Sequence, residues 1–156
     1  MEERNEILLQ APLHGDDVLP LWAGDRVLFS GDMYVARDAT HRRMMDDLES
    51  GKDLPFEVSN VLKRGLRVTI GKGERSKRVK NLLEKYSSIY GIACGGAAAY
   101  ISQFVTRCQV LAYPELGTQA LLRLFVQDFP LVVAYDAHGG DLFESGKIRY
   151  RRITLY

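Results

Sequence analysis

Three places in this chain carry residue types that could do chemistry. The first is Val68-Thr-Ile-Gly-Lys-Gly-Glu-Arg-Ser76, where a β-branched run stops at a Gly-Lys-Gly turn and an amphipathic segment begins. Gly71 and Gly73 permit backbone angles that a side chain resists, so amides can converge on a ligand while Lys72 adds a point charge and the following helix its positive end. A carboxylate or phosphate suits such a place. The alternative is an ordinary surface turn with a solvated lysine, and the Gly-x-x-x-x-Gly-Lys-Ser/Thr of a P-loop is not there. The second is Arg37, where a strand gives way to a helix beside Asp38 and near His41; its guanidinium could clamp a carboxylate with two parallel hydrogen bonds, or simply pair with a surface carboxylate. The third is Cys94, which precedes Gly95-Gly96 at a helix start, a setting that lowers a thiol pKa, although such a cysteine is more often inert filler. His14, His41 and His138 lack metal-ligand spacing.

These residues need a scaffold, and the pattern supplies one. Ile7-Leu-Leu9 and Arg26-Val-Leu-Phe-Ser30 read as strands, the second introduced by the turn Ala23-Gly-Asp25. Asp38 to Leu48 reads as a helix with Asp38 as N-cap, Gly51 as stop, and Ala39, Met44, Met45 and Leu48 on one apolar face; Arg42 and Arg43 are then its solvated side. Arg75 to Tyr86 reads as a helix with a buried stripe of Val79, Leu82, Leu83 and Tyr86. Ser88 to Cys94 is a further strand and Gly95 to Phe104 a further helix, its alanines suited to close packing. Two successive strand–turn–helix units imply a parallel layer. Strands and turns follow: Cys108 to Tyr113, Leu121 to Val126, Leu131 to Tyr135, a tight turn at His138-Gly-Gly-Asp141, and a final edge or partner-pairing strand from Ile148 to Tyr156.

At 156 residues the chain makes a single domain, 1–156, able to bury its own core. Twenty-one basic and twenty acidic residues leave a formal charge of +1, with no long run of like charge, so neither a nucleic-acid nor a membrane footprint is expected. Met1-Glu-Glu-Arg-Asn-Glu6 is not a signal peptide, and the expected location is the cytoplasm. Cys94 and Cys108 form neither a disulfide framework nor the three or four thiolates that an iron–sulfur cluster takes. One stretch is discontinuous: Val61-Leu-Lys-Arg-Gly65 reads as the last turn of a helix whose body is absent, because Leu54 to Val58 before it is extended in character. Either a segment has been excised near residues 59–61, or a mobile loop lies there that the continuous numbering does not show; the second is preferred, since such loops order when partner and substrate arrive.

Taken in order, Ala23-Gly-Asp25, Ser30-Gly31, Ala36-Arg-Asp-Ala-Thr-His41, Leu54-Pro-Phe56, Ile70-Gly-Lys-Gly-Glu-Arg-Ser76, Gly95-Gly-Ala-Ala-Ala99, Tyr113-Pro-Glu-Leu-Gly117 and Asp128-Phe-Pro130 resemble the C-terminal domain of class I, iron–sulfur-dependent fumarate hydratases, a separate β subunit in many organisms and in the related tartrate dehydratases. The Gly-Lys-Gly and Gly-Gly-Ala-Ala pieces look more like the fumarase branch. The resemblance implies an α/β, swivelling three-layer β/β/α domain with a parallel central sheet and a second, largely antiparallel one. It implies that Arg37 and Lys72, with Gly71 and Gly73, bind carboxylates of fumarate or malate. It further implies a [4Fe-4S] cluster held by an α subunit, a site shared with that subunit, a homo- or hetero-oligomer, and a chain inactive alone. The family's Gly-Pro-Thr-Thr…Arg-Met-Asp loop, which carries a proposed threonine base, is missing between Leu54-Pro-Phe56 and the Gly-Lys-Gly turn, so no catalytic base is named.

Overall fold

The structure is a computed structural model describing residues 6–55, 65–93 and 98–151. The Val61–Arg64 turn, Cys94 with Gly95–Ala97, and residues 152–156 lie outside the described residues. In chain order the elements are β1 (Ile7–Gln10), α1 (Gly15–Val18), β2 (Arg26–Val35), α2 (Asp38–Glu49), β3 (Val68–Gly71), α3 (Lys77–Lys85), β4 (Ile89–Ile92), α4 (Ala98–Ser102), β5 (Val105–Ala112), a 3-10 turn (Pro114–Gln119), β6 (Leu121–Tyr135) and α5 (Leu142–Tyr150).

The architecture is α/β around a six-stranded mixed sheet of order β1-β2-β6-β4-β3, with β5 also paired to β6. β3 and β4 are parallel, joined through α3 as the strand–turn–helix pattern predicts, and β1 and β2 are parallel as well. β6 runs antiparallel to β2, β4 and β5 and so unites the two parallel pairs. It is one strand where the sequence suggests two, because Asp128 at φ 52° and Pro130 bend the ladder without ending it. Opposite that bend the β2–β6 register shifts between Phe29 and Gly31, a bulge that accommodates an extra residue and twists the strand. Gly31 is required there: it sits at φ 125°, and a Cβ would come within 2.6 Å of the Ala11 Cβ. The Ser30 hydroxyl accepts the Asp128 amide hydrogen at 2.9 Å and closes the bulge.

The main core gathers Leu9, Val18, Leu21, Val27, Phe29, Ile89, Val126, Phe129, Leu131 and Val133. A second cluster of Leu83, Tyr90, Ala134 and Tyr135 lies under α3 and α5, with Val79, Ile92 and Phe143 against it. Apolar side chains on both faces of 131–135 are what a central strand requires.

Four readings of the sequence are corrected. Arg37, not Asp38, is the N-cap residue of α2. The buried residues of α2 are Thr40 and Asp47, whereas Met45 and Leu48 are exposed, because the helix packs on polar groups of the 3-10 turn instead of on an apolar layer. In α3 the stripe narrows to Leu83 and Val79, and Leu82 and Tyr86 are exposed. Residues 148–150 are the end of helix α5, not a strand, because Asp141 caps that helix by accepting from the amides of Phe143 at 2.8 Å and Glu144 at 3.0 Å.

Candidate functional site

The Gly-Lys-Gly turn leaves the C-terminal end of β3, where open α/β sheets place their ligands. Gly73 adopts φ 77° with nothing within 4 Å of a would-be Cβ, so its face is open. Lys72 is exposed. Gly71 plays a different part from the one its type suggests: a Cβ there would collide with the Arg75 guanidinium and lie 3.0 Å from the Tyr90 hydroxyl. The missing side chain makes room for Arg75, which stacks over the Tyr90 ring at 4.8 Å.

Two buried tyrosines hold this turn, and the sequence pattern passed over both as ordinary strand residues. Tyr90 is fully buried and donates to the Gly73 carbonyl at 3.1 Å. Tyr135 accepts the Arg75 amide hydrogen at 2.9 Å. Burial pushes the Tyr90 hydroxyl above its ordinary pKa, and the neighbouring Arg75 guanidinium works against that rise. The one available signal was that a buried tyrosine must find a partner for its hydroxyl.

Arg37 leaves the far end of β2 and is exposed. The helix it introduces is held by the 3-10 turn: the Ala39 amide donates to the Gln119 side-chain oxygen at 3.3 Å, and the Thr40 hydroxyl donates to the Gln119 carbonyl. Further along α2, Asp47 accepts from the Tyr113 hydroxyl at 2.9 Å and from Arg43 at 3.3 Å. Arg43 also bonds Glu115 at 3.0 Å and lies 5.2 Å from the centre of the Tyr113 ring, so it is a structural bridge and not merely a solvated face. The Tyr113 hydrogen bond, followed by Arg43, holds the Asp47 carboxyl below its ordinary value. Burial, reinforced by Asp47, pushes the Tyr113 hydroxyl up to about 12.

The strand directions send Arg37 and Lys72 off the sheet the same way, since β2 and β3 both oppose or follow β6 and β4 in the same sense. Their heights differ. Gly71 pairs with Ile92, Ile92 with Val132, and Val132 with Arg26, at the start of β2, whereas Arg37 follows its end. Ten residues of β2 lie between these pairings along the chain, and because the strand bends at the Phe29–Gly31 bulge this length is not the separation of Arg37 and Lys72 in space. Among the described residues no hydrogen bond or ion pair joins the two cations.

Asp136 and His138 make structural contacts. Asp136, only 3% exposed, accepts three amide hydrogens, from Ala23 at 2.9 Å, His138 at 2.9 Å and Gly140 at 2.8 Å. The His138 ring donates through Nε2 to the Leu19 carbonyl at 2.7 Å and stacks on Trp22. His14 and His41 are exposed. No group of three or more His, Cys, Asp or Glu among the described residues could hold a metal, and Cys108 is exposed on β5. With two cysteines in all, the donors of this chain do not fit an iron–sulfur cluster.

The described residues thus form an α/β domain with a cationic glycine turn at the end of a parallel strand. The chain belongs to the family described as Fumarase C-terminus, whose profile matches residues 1–62 and 57–146. It is 30% identical over 177 aligned residues to a provisionally named class I fumarate hydratase of Geobacillus stearothermophilus, covering 92% of this chain and 34% of that protein. It is 29% identical to a provisionally named L(+)-tartrate dehydratase subunit beta of Methanocaldococcus jannaschii, covering 83% of this chain and 87% of that one. To the anaerobic class I fumarate hydratase of Escherichia coli it is 25% identical, over 77% of this chain and 28% of the other. The chain thus spans about a third of the fumarate hydratases it matches. No helix of the described residues is long and apolar enough to cross a membrane.

Proposed function

We propose that this chain is the β subunit of an iron–sulfur hydro-lyase that reversibly hydrates fumarate to malate, and that Arg37 and Lys72 bind the substrate's carboxylates in a site shared with an α subunit. The observation that carries the proposal is the turn itself, an open Gly73 face with an exposed Lys72 at the end of a parallel strand, in a chain of this family. Adding water across the double bond of fumarate, or removing it from malate, builds negative charge on carbon beside a carboxylate. A fixed cation met only as that charge develops lowers the barrier. Lys72, with the amides of Gly71 and Gly73, does this at one carboxylate, while Arg37 orients the other.

The cluster that the family implies has no ligand set here, so it belongs to the α subunit, which would supply the Lewis acid. The tartrate dehydratase relative, matched over most of its length and named a subunit beta, supports a two-chain enzyme. In that assembly the chain is a swivelling β/β/α domain in the cytoplasm, a reading supported by the mixed sheet and by the bulged β2–β6 ladder that β5 also joins.

A second reading is favoured by a specific observation. The family profile is matched in two pieces that meet at residues 57–62, and the 177 aligned positions of the Geobacillus relative exceed the 92% of this chain they cover by about thirty. Both support a missing threonine loop between Pro55 and Gly65. A chain that truly lacks it is a non-catalytic assembly relative or depends on a base from elsewhere. The mass of the native protein separates these: a value several kilodaltons above 17.6 kDa restores the loop, and a value equal to it supports loss.

The catalytic reading is tested by identifying the cluster-bearing chain that copurifies with this one, reconstituting the pair, and assaying malate and L(+)-tartrate in parallel. Turnover of malate is the expected result. Turnover of L(+)-tartrate alone would move the chain to the tartrate branch, and turnover of neither would favour the non-catalytic reading.

A further inference from the structure

We propose that Tyr90 and Tyr135 are positioning residues for Lys72, a stacked pair whose two hydroxyls fix the arc of the Gly-Lys-Gly turn from beneath. This rests on the reading of Lys72 as a carboxylate ligand.

The two tyrosines pair across β4 and β6, and their rings stack with centroids 5.4 Å apart. Both are buried, so each hydroxyl is costly unless it has a partner, and a phenylalanine would pack as well without that cost. The partners chosen are not in the sheet. They are the Gly73 carbonyl, one residue after Lys72, and the Arg75 amide, three residues after it. Backbone is therefore pinned just after Lys72, on a turn where glycine at Gly73 with φ 77° would otherwise leave the chain free to move.

The pair is itself held from the other side. The Lys80 ammonium lies 4.8 Å from the Tyr135 ring centre and pairs with Asp141, the cap of α5, and Phe143 packs on Tyr135 at 5.7 Å. Arg75 closes the stack above Tyr90 in the space that Gly71 leaves. Hydroxyls anchored this way transmit the rigidity of the sheet to a turn made of small residues. A fixed cation costs no reorganisation when charge develops next to it.

The test uses the full chain reconstituted with its cluster-bearing partner, with Tyr90→Phe and Tyr135→Phe each made alone and combined with Lys72→Ala, and with fumarate titrated against the amide resonances of this chain. Each phenylalanine variant is expected to remain folded and to raise the fumarate dissociation constant roughly tenfold; Tyr135→Phe should also exchange the Arg75 amide roughly tenfold faster, and Tyr90→Phe should shift the Gly73 carbonyl resonance. In the Lys72→Ala background the same changes should leave fumarate affinity where Lys72→Ala alone put it. Equal losses in both backgrounds would mean that the tyrosines act on stability and not through Lys72, and would overturn the proposal. If the unaltered chain binds no fumarate, the reading of Lys72 as a ligand fails. The positioning claim is then decided by the Lys72 and Gly73 resonances, which must move in both variants and, if unmoved, refute it. Should a phenylalanine variant not fold, Arg75→Met, at an exposed position, opens the stack above Tyr90 and must likewise shift the Lys72 amide.

Discussion

The Tyr113 hydroxyl donates to the Asp47 carboxylate at 2.9 Å across 66 residues of sequence, tying the start of the 3-10 turn to the last turn of α2. Tyr113 reaches it from a left-handed backbone conformation, φ 56°, that residues other than glycine seldom adopt. Together with Gln119, which holds the first turn of α2, this contact determines how Arg37 is presented at the helix start.

Removing that hydroxyl isolates its contribution. Tyr113→Phe keeps the ring beneath Arg43 but leaves Asp47 with its basic partners alone. A fall of roughly 3 °C in Tm is expected, measured by thermal unfolding at neutral pH.

The same pair gives stability a pH dependence on both sides. Asp47 has a lowered folded pKa, so its contribution is present above the ordinary value of 3.8 and is lost as pH falls through the lower folded value. Asp141 behaves alike: burial acts to raise it, but hydrogen bonds from Lys80 and the helix amides prevail. Tyr113 is raised, so its contribution is present below 10.0 and is lost as pH climbs through about 12. The Tm advantage of the unaltered chain over Asp47→Asn should therefore shrink as pH falls below about 4, where the Asp47 carboxylate of the unfolded chain is protonated before that of the folded one. Ultraviolet titration should show one tyrosine ionising near 12, and its midpoint should fall in Asp47→Asn.

Gly31→Ala tests the bulge. The substitution forces a Cβ at φ 125° to within 2.6 Å of Ala11, at the parallel β1–β2 pairing as well as the β2–β6 ladder. A loss of about 1–3 kcal/mol in denaturant unfolding is expected. A neutral result would mean that the strand can bend without the glycine.

Lys72→Ala and Arg37→Ala, each reconstituted with the cluster-bearing partner, should lose orders of magnitude in malate dehydration while leaving Tm within about 1 °C, since both side chains are exposed. Near-normal turnover in both would falsify the site. Cys94→Ser should leave turnover intact, and a collapse of activity there would revive the thiol as nucleophile.

The sequence by itself determined the local parts. Alternation and turn residues located β1, the first half of β2, β3 and β4, the two cationic positions stood out by type, and the ordered motifs carried the family. Those are properties of neighbours in the chain, where backbone sterics and periodic burial act over a few residues. Only the tertiary structure decided that β6 runs as one strand between the parallel pairs, that the end of the chain near 148 is helical, and that α2 packs by Asp47 and Thr40. It also decided that Gly71 yields its space to Arg75, and that Tyr90 and Tyr135 hold the turn that presents Lys72. Each of these depends on residues far apart in sequence meeting in a crowded, poorly solvated place, where the partner available to a buried polar group outweighs its own local preference.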